Sequence, residues 1–315
     1  MEYRRLGNSG LQVSVVGLGA NNFGRRCDRE QTAAVIHHAL DLGITCIDTA
    51  DTYGPTGLSE EFIGSALKSH RREVVLATKF GGPMGEGPFT SGASRRYIFQ
   101  AVEDSLRRLQ TDYIDLYQIH FPDPDTPIDE TMRALNDLVR AGRVRYIGCS
   151  NFSAAQIVEA QWVARAGHLT PFVSAQNRYN LLERGVEEAI LPVCSKYGLG
   201  MLPYVPLAGG FLTGKYRQGE PPPAGARLAE GGRQAERALT DANYTRLERL
   251  ESYAEARGHT VLELAIAWLA AQPTVGSVIA GATHPGQLDA NVRAAEWQMS
   301  PEQVSEVRLE ETTPL

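Results

Sequence analysis

The fold is decided by Ile44-Thr45-Cys46-Ile47-Asp48-Thr49-Ala50-Asp51-Thr52-Tyr53-Gly54, in which a carboxylate and a phenol follow an apolar run. The apolar residues 44–47 predict a short buried strand. Asp48 and Tyr53, five residues apart, therefore lie at the carboxyl end of that strand. In a barrel of alternating strands and helices, this end of the strands forms the catalytic face.

Two further strand-like runs also end in ionisable residues. Residues 74–78 lead into Lys79, and residues 114–119 lead into His120. Because the carboxyl ends of parallel strands meet on one face, we expect both side chains to lie beside the carboxylate and the phenol. Taken singly, each residue also has a structural interpretation, as part of a barrel ion pair, an interfacial aromatic or a hydrogen-bonded histidine. All four on one face would favour catalysis.

The same alternation of strand-like and helix-like patterns continues along the chain. Strands are predicted near 15–19, 44–48, 74–79, 114–120, 144–149, 172–176, 200–205 and 277–280, and helices near 28–42, 59–69, 95–109, 129–141, 154–166, 186–197, 260–271 and 285–294. Eight such units predict an α/β fold of the closed (β/α)₈ TIM-barrel type in a single domain, 1–315. Residues 3–14 predict a β-hairpin that plugs one end of the barrel, and residues 208–242, rich in Gly, Pro and Arg, predict a long loop over the catalytic face.

The composition is that of an ordinary globular protein. Of its 315 residues, 43% are hydrophobic and 22% are charged, which suffices for a large core. A formal net charge of -6 argues against nucleic-acid and acidic-membrane partners. The sequence shows no apolar run of about eighteen residues and no signal-peptide pattern, which predicts a cytoplasmic protein. The oligomeric state stays open.

No metal site is predicted. The adjacent histidines His37-His38 lack a carboxylate or cysteine partner at ligand spacing. Trp162 and Trp268 lie in helical patterns, and we expect both in the core. The cysteines are scattered, so we expect reduced structural thiols at Cys27, Cys46, Cys149 and Cys194.

The motifs, taken in order, resemble those of the aldo-keto reductases over essentially the whole chain. Residues 212–216 and the following Pro-rich loop are most similar to the bacterial branch that includes the potassium-channel β-subunits. The matching segments are Gly17-Leu18-Gly19, Asp48-Thr49-Ala50, Tyr53-Gly54, Thr78-Lys79, Gln118-Ile119-His120, residues 147–152, Gln176-Asn177, residues 204–207, residues 212–216, Gly281-Ala282-Thr283, Gln287 and Asn291.

This resemblance implies hydride transfer from a nicotinamide cofactor to the carbonyl of a small aldehyde or ketone. The oxygen that becomes an alkoxide needs a proton, and Tyr53 is the implied donor. A free phenol has a pKa near 10, so we expect Lys79, kept charged by Asp48, to lower the pKa of Tyr53 by about three units. His120 is implied to orient the carbonyl oxygen.

Residues 17–24 lack the G-x-G-x-x-G spacing, so a Rossmann fingerprint is absent. The resemblance implies instead NADP(H) bound in extended form across the barrel mouth. Ser150, Asn151 and Gln176 would bind the carboxamide, and Tyr204 would stack on the nicotinamide ring. Arg227 would contact the 2′-phosphate, which favours NADPH over NADH. The remaining implied cofactor residues are Gly19, Asn21 and Asp48 near the reacting centre, Pro206, Leu207, Gly209 and Lys215 across the pyrophosphate, and Gly281, Thr283, Gln287 and Asn291 at the adenosine end.

A second class of function stays open, namely a cofactor-bound sensing or partner-binding protein with weak turnover. His120 favours the enzyme, because the channel-associated relatives have another residue at that position. Substrate specificity is expected from the loops after the strands, residues 21–23, 80–94 and 121–124, and from the C-terminal tail.

Overall fold

The computed structural model describes residues 1–312 as an eight-stranded closed parallel barrel wrapped by helices, preceded by a two-stranded antiparallel hairpin. The predicted (β/α)₈ barrel and hairpin are confirmed. The strands are β1 (Tyr3–Arg5), β2 (Gln12–Ser14), β3 (Val16–Gly19), β4 (Cys46–Asp48), β5 (Val75–Phe80), β6 (Ile114–Ile119), β7 (Val144–Ser150), β8 (Phe172–Arg178), β9 (Gly200–Tyr204) and β10 (Val278–Gly281). The barrel closes in the order β10-β3-β4-β5-β6-β7-β8-β9.

Helices follow the strands on the outside of the barrel. Three start at capping boxes, at Asp28, Ser153 and Thr260, where a side chain satisfies a free backbone N–H of the first turn. The helices are α1 (Arg29–Asp41), α2 (Leu58–Ala66), α3 (Arg95–Leu109), α4 (Ile128–Arg140), α5 (Ala154–Ala166), α6 (Ile190–Tyr197), α7 (Gly232–Ala238), α8 (Asp241–Glu255), α9 (Val261–Ala270), α10 (Pro285–Ala294) and α11 (Pro301–Thr312).

The β1–β2 hairpin closes the amino end of the barrel. Leu6 and Val13 are fully buried in the barrel interior, in a cluster that includes Cys46 and Val75 at the starts of their strands. Gly7 makes the close approach possible: its φ is 57°, and a Cβ there would lie 2.3 Å from the carbonyl oxygen of Gly198. With this end plugged, ligands can enter the barrel only from the opposite mouth.

Several elements differ from the sequence prediction. Helices α7, α8 and α11 were not predicted, and the described part of the C-terminal tail packs through α11 against α8 rather than over the mouth. Trp268 is fully buried as expected, but the prediction for Trp162 is wrong, because 65% of it is exposed. Its neighbour Gln161 faces inward and bonds the backbone of Phe172, so the next residue of α5 points to solvent.

None of the helices in residues 1–312 combines the length and the hydrophobicity that a membrane crossing requires. All four cysteines are buried and unpaired.

Candidate active site at the barrel mouth

The carboxyl ends of β4, β5 and β6 bring Asp48, Tyr53, Lys79 and His120 together. Lys79 Nζ donates to Asp48 Oδ2 at 2.6 Å and to the carbonyl oxygen of Thr49 at 2.8 Å. The same nitrogen lies 3.5 Å from the Tyr53 hydroxyl oxygen, at the limit of hydrogen-bond distance. The rings of Tyr53 and His120 meet edge to face, with their centroids 5.7 Å apart.

Asp48 and Lys79 form a fully buried ion pair. The second carboxylate oxygen, Asp48 Oδ1, accepts hydrogen bonds from Gln176 Nε2 at 2.9 Å and Gln118 Nε2 at 3.1 Å. Burial by itself lowers the pKa of Lys79, but the charges and hydrogen bonds of Asp48 and Tyr53 together outweigh burial and raise the pKa above its usual value. Lys79 is therefore an ammonium ion at neutral pH.

The pKa of Tyr53 is raised, whereas we expected from the sequence that it would be lowered. Burial against the cavity walls raises the pKa of Tyr53, and the opposing effect of Lys79 is partly cancelled by the Asp48 charge. The buried pair acts on the phenol as a dipole rather than as a lone cation. Tyr53 is therefore protonated at neutral pH, as a proton donor must be.

His120 is held as a neutral imidazole. Burial, with the Lys79 charge beside it, lowers its pKa to about 3. Its Nδ1 is buried and has no hydrogen-bond partner among the described residues. The exposed ring of Phe121 stacks on His120, with centroids 4.4 Å apart and the planes 13° from parallel. A neutral imidazole keeps one N–H donor and one acceptor, so His120 can donate to a carbonyl oxygen.

Two cavities cross the mouth and share lining residues, among them Pro206, Arg227 and Gly281. Every residue implied in cofactor binding lines one or both of them. The larger cavity, about 690 Å³, is lined by Gly19, Asn21, Asp48, Ser150, Asn151, Gln176 and Tyr204, and by Tyr53 and His120. The smaller, about 260 Å³, is lined by Leu207, Gly209, Lys215, Thr283, Gln287 and Asn291.

The polar side chains at the carboxamide end bond one another. The Tyr204 hydroxyl donates to Asn151 Oδ1 at 2.7 Å, and Asn151 Nδ2 donates to the His120 carbonyl oxygen at 2.9 Å and to Ser150 Oγ at 3.1 Å. Gln118 is a site residue to which sequence reasoning gave no role. Its position two residues before His120 on one strand was the available signal, because alternate residues face the same side.

The loop after β9 has a strained backbone where the two cavities meet. Val205 and Ala208 have φ values of 56° and 48°, and Gly209 and Gly210 have 72° and 93°. Positive φ at a β-branched residue is a genuine outlier, and such strain clusters at ligand sites. At Gly209 a Cβ would also lie 2.8 Å from Leu228 Cδ2, so the positive φ and the close neighbour both favour glycine.

Arginines surround the border of the two cavities. Arg227 Nη2 donates to Asn22 Oδ1 at 2.7 Å and to Asn21 Oδ1 at 2.9 Å. Burial and the neighbouring Arg26 lower the pKa of Arg227. Arg25 and Arg26, which sequence reasoning missed, share one carboxylate, at 3.4 and 3.2 Å from the oxygens of Glu230. These cations match the donors that a polyanionic ligand requires.

A closed barrel with an acid–base cluster at its mouth and an extended cleft rich in arginines is the architecture of an enzyme that acts on a small ligand beside a phosphate-bearing cofactor. The model of the Aldo/keto reductase family matches residues 15–309, and the chain belongs to this family.

Relatives match nearly the whole chain. It is 39% identical to a probable voltage-gated potassium channel subunit beta of Oryza sativa subsp. japonica, over 94% of this chain and 92% of the relative. It is 36% identical to the L-glyceraldehyde 3-phosphate reductase of Escherichia coli K12, over 93% of this chain and 87% of the relative. It is 37% identical to the aldo-keto reductase YhdN of Bacillus subtilis, over 98% of this chain and 92% of the relative. The protein is therefore an oxidoreductase that uses NAD(P)H to reduce carbonyl groups.

Proposed function

We propose that this protein reduces the carbonyl of a small aldehyde or ketone with NADPH, and that Tyr53 is the general acid. The observation that carries the proposal is the position of the Tyr53 hydroxyl, in the wall of the larger cavity and 3.5 Å from the buried Nζ of Lys79. When bound, the cofactor supplies the hydride. A carbonyl oxygen beside Tyr53 then becomes an alkoxide and must be protonated.

Each residue of the cluster has a distinct task in this proposal. Tyr53 transfers its hydroxyl proton to the alkoxide, which is a stronger base than a phenolate. Lys79 stabilises the tyrosinate that is left, and Asp48 keeps Lys79 charged. His120, neutral at working pH, donates an N–H to the carbonyl oxygen and so orients it. Water can return the proton to Tyr53 after each turnover.

The residues of the cleft fit an extended nicotinamide dinucleotide. The backbone at Gly209 and Gly210 permits a pyrophosphate to approach closely. Arg227, whose hydrogen-bond partners are two neutral carboxamide oxygens, is the proposed ligand of a 2′-phosphate. Thr283 and Gln287 hydrogen-bond each other at the start of α10, and both line the smaller cavity, where they are placed to contact the adenosine end. This donor set supports NADPH over NADH.

The test is steady-state oxidation of NADPH with a panel of small aldehydes and ketones. We expect turnover with at least one aldehyde and a higher kcat/KM for NADPH than for NADH. Tight cofactor binding without turnover on any carbonyl would favour a sensing role instead. A kcat/KM for NADPH that does not exceed the kcat/KM for NADH would refute the cofactor preference.

A further inference from the structure

We propose that Arg178 binds an oxyanionic group of the substrate, so that the enzyme prefers aldehydes carrying a carboxylate or a phosphate. This inference rests on the proposed reductase function and names its substrate class. Arg178 is then a specificity-determining residue, separate from the proton-transfer cluster.

The position of Arg178 follows from the pleat of β8. Gln176 and Arg178 are two residues apart on this strand, so their side chains leave it on the same side. Gln176 bonds Asp48 Oδ1, which shows that this side is the barrel interior. Arg178 therefore stands about 7 Å above Gln176 along the strand, toward the mouth. It lines the same cavity as Tyr53 and His120.

The guanidinium of Arg178 is only weakly engaged by the protein. Its Nη1 lies 3.3 Å from Glu183 Oε2, and the two side chains are 30% and 32% exposed. An ion pair this exposed contributes little to stability. Glu183 has a second partner, since Asn180 Nδ2 donates to the same oxygen at 3.0 Å. A ligand oxyanion can therefore replace Glu183 as the partner of Arg178, because Glu183 keeps its hydrogen bond from Asn180.

The remaining charges near the reacting centre do not compete for this role. Asp48 and Lys79 compensate each other, and His120 and Tyr53 are neutral. Four other arginines line the same cavity. Arg26 and Arg227 also line the smaller cavity, toward the proposed phosphate-binding end, whereas Arg25 is paired with Glu230 and Arg233 lies on α7, beyond Arg227 in the segment that covers the mouth. Arg178 instead pairs in register with Tyr204, and its Cζ lies 5.6 Å from the centroid of that ring. It is thus a cation on the carbonyl side of the cleft.

Apolar side chains also line this cavity. Phe121 stacks on His120 and is 48% exposed, and Pro83 lies after the neighbouring strand β5, whereas Ile279 pairs with Tyr204 on the Arg178 side. A hydrocarbon segment can lie against these side chains while the aldehyde faces Tyr53 and the oxyanion binds Arg178. The geometry therefore fits a short aldehyde with its charge at the far end of the carbon chain.

Succinic semialdehyde and its methyl ester form a matched pair of probes, because they differ in charge but share the aldehyde. Glyceraldehyde 3-phosphate and glyceraldehyde form the corresponding pair for a phosphate. The measured quantity is the ratio of kcat/KM for the anionic member to that for the neutral member. We expect a wild-type ratio of roughly ten to a hundred for at least one pair, the value of one charge-assisted contact.

Substitutions at Arg178 and at Glu183 should move this ratio in opposite directions. Arg178→Gln should bring it to about one, whereas Arg178→Lys should keep part of it, because the charge remains without the bidentate geometry. Glu183→Gln should raise the ratio, since it removes the competing carboxylate from Arg178. Raising the salt concentration should lower the wild-type ratio.

Two results would overturn the proposal. One is a wild-type ratio at or below one for both pairs. The other is an Arg178→Gln variant that binds NADPH more weakly but keeps the ratio, which would assign Arg178 to the cofactor. Failure of the reductase function would look different, since no aldehyde, charged or neutral, would then be reduced.

Discussion

Asp48→Asn is the substitution whose consequences follow most directly from the structure. Three N–H donors converge on the Asp48 carboxylate, from Lys79, Gln118 and Gln176. Asparagine replaces one oxygen with an NH₂ group, which must face either the ammonium or the two carboxamide donors. In both orientations a donor faces a donor, and Lys79 loses its counter-ion.

The cost can be estimated from burial. Lys79 is 0% exposed and Asp48 is 2% exposed. Removing one partner of a buried ion pair costs about 3–5 kcal/mol, because the other charge is left uncompensated. We therefore expect Asp48→Asn to lower the free energy of unfolding by about this amount near neutral pH and to abolish carbonyl reduction.

The pH dependence has a definite sign. Without Asp48, burial is expected to lower the pKa of Lys79 below its unfolded value of about 10.4. Between the two pKa values the unfolded state binds more protons than the folded state, so stability rises with pH. The difference in free energy of unfolding between wild type and variant should therefore shrink as the pH is raised toward about 10.

The assay is urea unfolding of wild type and variant over this pH range, with NADPH oxidation measured in parallel. The control is the double variant Asp48→Asn/Lys79→Met, which removes both charges and should recover most of the lost stability while staying inactive. A loss below about 1 kcal/mol that does not depend on pH would show that the two residues are not coupled as described.

Three further variants test two residues of the site and one buried carboxylate near it. Arg227→Ala should lower the NADPH-to-NADH ratio of kcat/KM roughly ten- to a hundredfold, and an unchanged ratio would remove Arg227 from the cofactor site. Burial and the neighbouring Glu60 raise the pKa of Asp51 to about 8 in the folded protein, whereas the pKa is about 4 in the unfolded chain. Between these two pH values the folded state binds more protons, so its stability falls as the pH rises. Asp51→Asn should remove that loss, and urea unfolding at the two ends of the window would detect a persisting slope. Because the pKa of His120 is about 3, the pH profile of kcat/KM should show no histidine limb near neutrality, and a limb there that His120→Gln abolishes would contradict a neutral imidazole.

The barrel could be predicted from sequence because its strands are short apolar runs at regular spacing. Helices α3, α5 and α10 have the bounds that the pattern predicts. Helix α7 was missed because it lies within residues 208–242, which were predicted to form a surface loop. Helix α8 lies almost entirely after that segment, in highly charged residues to which the pattern assigned no element.

The site was harder to predict where long-range geometry decides. The positions of the motif residues could be predicted because they lie at strand ends, and the sequence pattern shows where the strands end. The pKa of Tyr53 depends on burial and on the Asp48–Lys79 dipole, and neither is a property of local sequence. Arg25, Arg26 and Arg178 resemble surface charges in the sequence and become cavity residues only when the barrel closes.

The most direct test of the central claim, proton donation by Tyr53, is a single-turnover measurement on Tyr53→Phe. NADPH-loaded enzyme is mixed with an aldehyde that the wild type reduces, and the nicotinamide absorbance is followed. We predict that reduction slows by about a hundredfold or more while the Kd for NADPH changes little, because the ring stays and only the proton donor is lost. A variant that keeps more than about a tenth of the wild-type rate would contradict the claim.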